Sequence, residues 1–283
     1  MGVHNILNKM NWLTRQPFLI LSVFIALTAF QTESDTIEAF GPTGPYDHHK
    51  ILVDALDRFS RKSGLEVNPY CTSLLNNFAY TSDAALANLD FYHCDNSNFY
   101  GCSMALDRTK RNARKRTTQV QALKDLAIAL HIVQDFYSHS NWVERMKFSM
   151  VTAPIEAMKD VPTPPWLQSG IFPDEYAAVV SGDPLITYYC KLMPESTWGE
   201  AFPNAAHACI NKDGNTLGRG GTVVDGTIIT YHELAGEYAI RHSVEVLNTF
   251  RDTVPMFQTC LLPKKATFGC SQFIAKRFTL RRW

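Results

Sequence analysis

The chain lacks two motifs that mark common functional classes. No two cysteines have the Cys-x-x-Cys spacing, which argues against a zinc finger. No Gly-x-Ser-x-Gly occurs, so the nucleophile turn of many serine hydrolases is missing and a serine triad is disfavoured. Internal repeats, low-complexity tracts and strand-like alternation are also missing. These absences are typical of an ordinary globular chain.

An excess of charge of either sign is missing too, because 27 Lys and Arg residues balance 27 Asp and Glu residues. No global field therefore recruits nucleic acid or an anionic bilayer. Two stretches are nonetheless basic, at 108–116 and 264–283. A solvated helix face or a loose end explains both, and contact with phosphate head groups is the alternative.

Long apolar runs are scarce, and the one at residues 17–30 is too short for a comfortable membrane span. Lys9 and Arg15 precede it, and the polar stretch QTESD follows it. We therefore expect residues 1–30 to be a secretory signal peptide, with a retained signal anchor as the alternative. The protein is then secreted or extracellular, or periplasmic in a bacterium.

The remainder of about 250 residues is long enough for one large domain and too short to require two. We expect a helical domain at 40–255 and a basic, cysteine-containing tail at 256–283. Behind a signal peptide, seven cysteines point to disulfides. Connectivity stays open, although some pairs are close in sequence: Cys94 with Cys102, Cys190 with Cys209, and Cys260 with Cys270.

Helical periodicity dominates the domain and predicts an all-α, multi-helix bundle with long irregular loops. The stretch 117–146 is apolar nearly all round, so it belongs at the centre of the bundle. Proline and glycine place the irregular loops at 151–174 and 211–226. The other predicted helices are 48–62, 72–92 (one helix or a pair) and 229–254.

In the central helix, His131, Asp135 and His139 are four residues apart and project from one face. The rise from His131 to His139 is about 12 Å, too far for both imidazoles to hold one ion. More than one metal ion would be needed, with Asp135 placed to bridge two of them. From spacing alone, buried polar contacts explain the pattern as well. Further ligand types lie on or beside other predicted helices: His48, His49, Asp83, His93 and His232.

The run LHIVQDFYSHSNWVE, residues 130–144, resembles the signature of the heterokaryon-incompatibility C proteins and their bacterial relatives. These are similar to the zinc-dependent phospholipase C superfamily, which also includes fungal and plant single-strand nucleases. Other stretches match in the order that the resemblance implies: HHKILVDAL, NFAYTSDAALANLDFYHCDN, and NKDGN followed by HELAGEYAIRHS. The resemblance spans residues 48 to about 250.

The resemblance implies an all-helical domain of the phospholipase C type, two or three Zn²⁺ ions and cleavage of phosphodiester bonds. Asp135 would bridge two ions, and Asp83 would orient or deprotonate the attacking water, so these two are the catalytic candidates. The implied zinc ligands are His48, Asp83, His93, His131, Asp135, His139 and His232.

This chain departs from the superfamily pattern in three places. The histidine after the bridging aspartate follows four residues later rather than six, and Gly236 stands where an acid follows the last histidine. The tryptophan whose amine binds metal at the mature amino terminus has no counterpart ahead of His48. The number of ions and the third site are therefore open.

Three roles remain open for such a chain. The leading expectation is a phospholipase C type hydrolase acting on phospholipids at a membrane surface. A hydrolase of single-stranded nucleic acid, with 108–116 as its charged track, is the second. The third is a non-catalytic protein whose metal cluster stabilises the helices and which contacts membranes or proteins.

Several residues near the motif receive structural interpretations. Phe136, Tyr137 and Trp142 are expected in the core. His207 and His242 are interpreted as structural histidines rather than ligands. We hypothesise that Asn141 and Glu144 orient histidine rings. None of these residues is added to the candidate zinc ligands.

Overall fold

The computed structural model describes residues 44–86, 89–170, 207–215 and 219–264. Within these ranges the chain is mostly helical, with one sheet of two short strands, so the prediction of an all-α fold is confirmed. In chain order the elements are α1 His48–Ser63, β1 Leu65–Val67, α2 Pro69–Leu86, α3 Asp90–His93, α4 Phe99–Lys115, α5 Gln119–His139, α6 Trp142–Met146, α7 His207–Ile210, α8 Tyr231–Thr253, α9 Pro255–Gln258 and β2 Leu261–Pro263.

The predicted helices agree with these elements. Those at 48–62 and 229–254 are α1 and α8, and the stretch 72–92 is the pair α2 and α3. The stretch 117–146 is interrupted after His139 and forms α5 and α6. Helix α4 is not among the predicted helices, because its charged stretch at 108–116 was interpreted only as a basic segment.

Polar side chains at the helix starts fix where the long helices begin. Asp47 accepts a hydrogen bond from a free N–H in the first turn of α1, and Thr118 does the same for α5. Thr230 and Glu233 form a reciprocal capping box at the start of α8. Such caps satisfy N–H groups that have no partner within the helix.

Helix α5 lies at the centre of the fold. Every residue from 129 to 144 is buried, and the helix packs against α2, α4 and α8. Phe136, Tyr137 and Trp142 belong to the core, as expected. The prediction of a central helix is confirmed, and it follows from a sequence that is apolar on more than one face.

A disulfide joins Cys71 at the start of α2 to Cys260 near the end of the described chain. Beside it, β1 and β2 pair antiparallel, with Leu65 opposite Pro263. The suggested pairing of Cys260 with Cys270 is therefore wrong. Short-range pairing fails here because the chain returns to α2 after α8 and brings a distant cysteine close.

A second disulfide joins Cys94 to Cys102, one of the pairs that are close in sequence. The suggested pair of Cys190 and Cys209 lies outside the described residues. Two disulfides indicate an oxidising environment of the extracellular type. Among the described helices, none has the length and apolarity that a bilayer span requires.

The remaining predictions concern the ends and loops of the chain. The predicted signal peptide at 1–30 and residues 265–283 of the tail lie outside the described residues. Of the predicted loop at 151–174, the described part is irregular apart from a short 3₁₀ turn at Ile155–Lys159. The described residues of 211–226 contain no helix or named strand, and Val223 makes an isolated bridge to Thr230.

We expect the double substitution Cys71→Ser with Cys260→Ser to lower the free energy of unfolding by about 2–4 kcal/mol, measured by denaturant titration without reductant. The bond closes a loop with a sequence separation of 189, so its loss releases much entropy in the unfolded chain. The matched control is Cys94→Ser with Cys102→Ser, whose separation is 8. A loss for the control as large as that for the first pair would contradict the expectation.

Candidate metal centre

Asp135 lies at the centre of a buried group of imidazoles. Its Oδ1 lies 3.1 Å from Nε2 of His48. Its Oδ2 lies 2.7 Å from Nδ1 of His93 and 3.1 Å from Nε2 of His131. These side chains come from α1, α3 and α5, so only the folded chain brings them together.

Hydrogen bonds behind the group orient the His48 ring. Its Nδ1 lies 2.6 Å from Oε1 of Gln134, and the Gln134 amide donates to the Ser243 hydroxyl at 3.2 Å. Gln134 of α5, supported by Ser243 of α8, thus holds Nδ1 of His48 in place. The other ring nitrogen, Nε2, therefore faces Asp135. Partners of this kind hold ligating histidines in metalloproteins.

A second buried group surrounds His139 at the end of α5. Its Nδ1 lies 3.1 Å from Oδ1 of Asp95, and its Nε2 lies 3.3 Å from Oδ1 of Asp213. His207 also faces Asp95, with Nε2 at 3.8 Å from Oδ1, and its ring centroid lies 4.5 Å from that of His139. The donors therefore come from the end of α5, the loop after α3 and the segment around α7.

Each group converges closely enough to hold a metal ion. In each, one donor atom per residue lies within 4.8 Å of the others. We call His48, His131 and Asp135 the first group, which His93 adjoins. Asp95, His139 and His207 are the second group, which Asp213 adjoins.

Unsatisfied polar atoms support this interpretation. Both ring nitrogens of His131 and of His139 are buried and have no partner in hydrogen-bond geometry, and the same is true of Oδ1 of Asp95 and of Asp135. Buried polar atoms without partners are costly and rare. Imidazole nitrogens and carboxylate oxygens that converge in this way fit a cation between them.

The surroundings set the protonation state of the first group. Burial lowers the pKa of His131 well below its ordinary value. Burial alone would raise the pKa of Asp135, but the neighbouring rings of His131 and His48 hold it well below its ordinary range. A neutral imidazole and an ionised carboxylate are the states in which these side chains bind metal.

In the second group, the pKa values of the two histidines shift in opposite directions. Burial lowers the pKa of His207 to about 4. Burial alone would also lower the pKa of His139, but the carboxylates of Asp95 and Asp213 raise it well above its ordinary value. The two carboxylates thus favour a positive charge at the position of the His139 ring.

The structure brings together five of the seven residues predicted as zinc ligands: His48, His93, His131, Asp135 and His139. They fall into two neighbouring groups rather than one, with the rings of His93 and His139 6.3 Å apart. Asp83 lies in α2, but its side chain lies outside the described part of the structure.

His232 is not brought into either group. Its Nδ1 lies 2.7 Å from the carbonyl oxygen of Lys212, and its Nε2 accepts the N–H of Tyr46 at 3.2 Å. Both ring nitrogens thus contact backbone. His232 therefore ties the segment before α1 to the loop before α8, which differs from the ligand role that the resemblance implies.

The position four residues after His232 has no room for an acid. A Cβ atom at Gly236 would lie 2.5 Å from ring atoms of Tyr46. The neighbouring Glu237 does not fill the role either, since it binds Arg58 at 2.8 Å and the Tyr46 hydroxyl at 3.2 Å. This part of α8 packs against α1 through Tyr46 instead of supplying a ligand.

Asp95 and Asp213 are not among the predicted zinc ligands, and His207 is among the histidines interpreted as structural. Asp95 follows His93 by two residues and Asp213 stands in NKDGN, so both lie in stretches that carry the resemblance. A lone histidine such as His207 gives no periodic signal, and its interpretation as structural differs from its place beside His139. Contacts made through irregular segments cannot be derived from helical spacing.

The hydrogen bonds of two motif residues go to neighbouring loops. Asn141 donates to the carbonyl of Trp166 and accepts from the N–H of Gln168. Glu144 contacts Lys212 and Arg219. Neither of these contacts is with a histidine ring, so both residues anchor the chain around the second group rather than orient an imidazole directly.

His242 remains a structural histidine, as expected. Its Nδ1 lies 2.9 Å from the Tyr137 hydroxyl, which also accepts the N–H of Ala153.

Comparison with known proteins gives one finding. The family model described as VWA7 N-terminal domain matches residues 72–161, a segment that holds Asp95, His131, Asp135 and His139. No curated protein and no solved structure matches the chain. Over that segment, this chain is similar to the VWA7 N-terminal domain.

Proposed function

We propose that this protein is a zinc-dependent phosphodiester hydrolase of the phospholipase C type, which acts on phospholipids. One observation supports the proposal above all: two neighbouring groups of buried histidines and carboxylates share helix α5. Paired metal ions are a common means of cleaving phosphodiesters. The resemblance of residues 130–144 to the heterokaryon-incompatibility C signature supports the substrate class.

The donor set suits zinc, because imidazole and carboxylate are among its usual ligands and the groups hold two histidines and one carboxylate each. The resemblance implies the same metal. Bound zinc supplies a Lewis acid that polarises phosphoryl oxygens and makes water more acidic. His93 and Asp213 adjoin the two groups and are the additional ligands that we propose.

Residues of the chain itself supply the negative charge, the ring orientation and the proton acceptor that this chemistry requires. Asp135 is fully buried and ionised, so its negative charge is not screened by water. The Gln134 amide holds the His48 ring in one orientation. Asp83, by the resemblance, orients or deprotonates the attacking water.

A second candidate is hydrolysis of single-stranded nucleic acid, which the surface beside His93 favours. Arg108 donates to the Tyr92 hydroxyl at 2.9 Å, and its guanidinium lies 5.9 Å from the ring centroids of Phe91 and Tyr92. Tyr100, at the start of α4, is 61% exposed. Aromatic rings beside basic residues are typical of surfaces that bind single strands.

A non-catalytic role is the third candidate, and the burial of the site favours it. His48 is 8% exposed, and the other members of both groups are less so. Metal ions enclosed in this way would stabilise the helices in the manner of a structural zinc site.

We expect purified protein to bind two Zn²⁺ ions per chain, counted by elemental analysis after dialysis. Removal of the ions by a chelator should lower the melting temperature, because metal that binds only the folded chain stabilises it by about 4 kcal/mol at 1,000 times its Kd. Asp135→Asn and Asp95→Asn should each reduce the count by one. A full count in both variants would show that the ions bind elsewhere.

The matched control for these changes is Asp125→Asn. Asp125 also lies in α5 and is also buried, but it binds Arg116 at 2.6 Å rather than a histidine. Its replacement should leave both ions in place.

We expect the wild type to hydrolyse phosphatidylcholine in liposomes, and Asp135→Asn to be slower by on the order of 100-fold, since even outer partners of metal ligands cost 10–100-fold. Circular dichroism checks that the variant stays folded, and Asp125→Asn again serves as the control. Single-stranded DNA is assayed in parallel.

Cleavage of DNA without cleavage of lipid would favour the second candidate. A wild type that turns over neither substrate, together with loss of folding in Asp135→Asn, would favour the non-catalytic role.

A further inference from the structure

Lys212 is a lysine with no exposed side-chain surface. Lysine is almost never fully buried unless it is paired, because its ammonium loses the hydration of bulk water. Its Nζ lies 2.7 Å from the carbonyl oxygen of Ser140, 2.9 Å from that of Ile210 and 3.3 Å from that of Ser138. All three contacts are with acceptors, which suits an ammonium with three N–H donors.

These carbonyls belong to the ends of two helices. Ser138 and Ser140 flank the last residue of α5, and Ile210 is the last residue of α7. The last carbonyls of a helix have no partner within it and carry partial negative charge. A single ammonium therefore joins the carboxyl ends of the helix that bears His139 and the helix that bears His207.

Further contacts fix Lys212 itself. Its backbone N–H donates to the carbonyl of Ser138 at 3.0 Å. Its Nζ lies 3.2 Å from Oε1 of Glu144, which also lies 3.3 Å from Nε of Arg219. Arg219 in turn stacks over the Tyr231 ring at 4.1 Å. The network therefore extends from the end of α5 to the start of α8.

The residue after Lys212 is Asp213, which adjoins the second group. Its carboxylate lies 3.3 Å from Nε2 of His139 and accepts a hydrogen bond from the Ser138 hydroxyl. A shift of the backbone at Lys212 would therefore move Asp213 away from His139.

We infer that Lys212 is a positioning residue that assembles the second group by clamping the ends of α5 and α7 together. The first group does not depend on it, because His48, His131 and Asp135 lie on α1 and on the part of α5 that precedes the carbonyls bound by Lys212. The inference rests on the metal-binding part of the proposed function and not on hydrolysis.

The test measures each group separately by titration with Zn²⁺ alone. In Asp135→Asn the second group is the one left intact, and in Asp95→Asn the first group is. Adding Lys212→Met, which keeps the length of the side chain and removes its donors, should raise the Kd of the second group about 10–100-fold. The Kd of the first group should change less than about twofold, within the scatter of additive effects at separate sites.

The matched control is Lys124→Met, an exposed position on α5 that should change neither Kd. Glu144→Gln gives a second measurement if Lys212→Met does not fold, since it leaves the ammonium in place but removes its charged partner. We expect it to weaken the second group selectively and by a smaller factor.

Equal weakening of both groups, or of neither, would overturn the inference and assign Lys212 a purely structural role. Absence of zinc binding in the wild type would overturn it as well. A wild type that binds two ions, shows the selective effect and cleaves no phosphodiester would leave the inference standing and refute the proposed function.

Discussion

The burial of one carboxylate is the constraint around which this fold is arranged. Asp135 has no exposed surface and lies in a stretch of α5 in which every residue is buried. An isolated ionised carboxylate in such a place would cost far more than a domain's net stability. Imidazoles from three helices surround it instead, so the first group and the hydrophobic core around α5 have to form together.

The two groups differ in how the chain supports them. The first draws on α1 and on residues 131–135 of α5, and both helices are long and have capped starts. The second draws on the loop that holds Asp95 and on the segment around His207 and Asp213. The positions of the ligand candidates in the second group thus depend on residues that hold these irregular segments in place. Lys212, Asn141 and Glu144 are buried residues of this kind. Rigid elements give precise sites more readily than loops do.

Sequence spacing was sufficient for the part of the site that lies on one helix. The positions of His131, Asp135 and His139 follow from 3.6 residues per turn, and the apolar faces of the same stretch place it in the core. Spacing could not find Asp95 or the second group, because loop geometry depends on tertiary contacts. For His232 the structure shows ring contacts with the backbone of Lys212 and Tyr46, and Tyr46 also fills the space beside Gly236 where the superfamily pattern has an acid.

The disulfide between Cys71 and Cys260 has a consequence for biosynthesis. During chain synthesis Cys71 meets Cys94 and Cys102 long before its own partner is made. The native bond must then arise either by a thiol that stays reduced or by exchange out of an earlier, incorrect pairing. Maturation of the protein is therefore sensitive to the redox poise and isomerase supply of the cell that makes it, which bears directly on the choice of expression host.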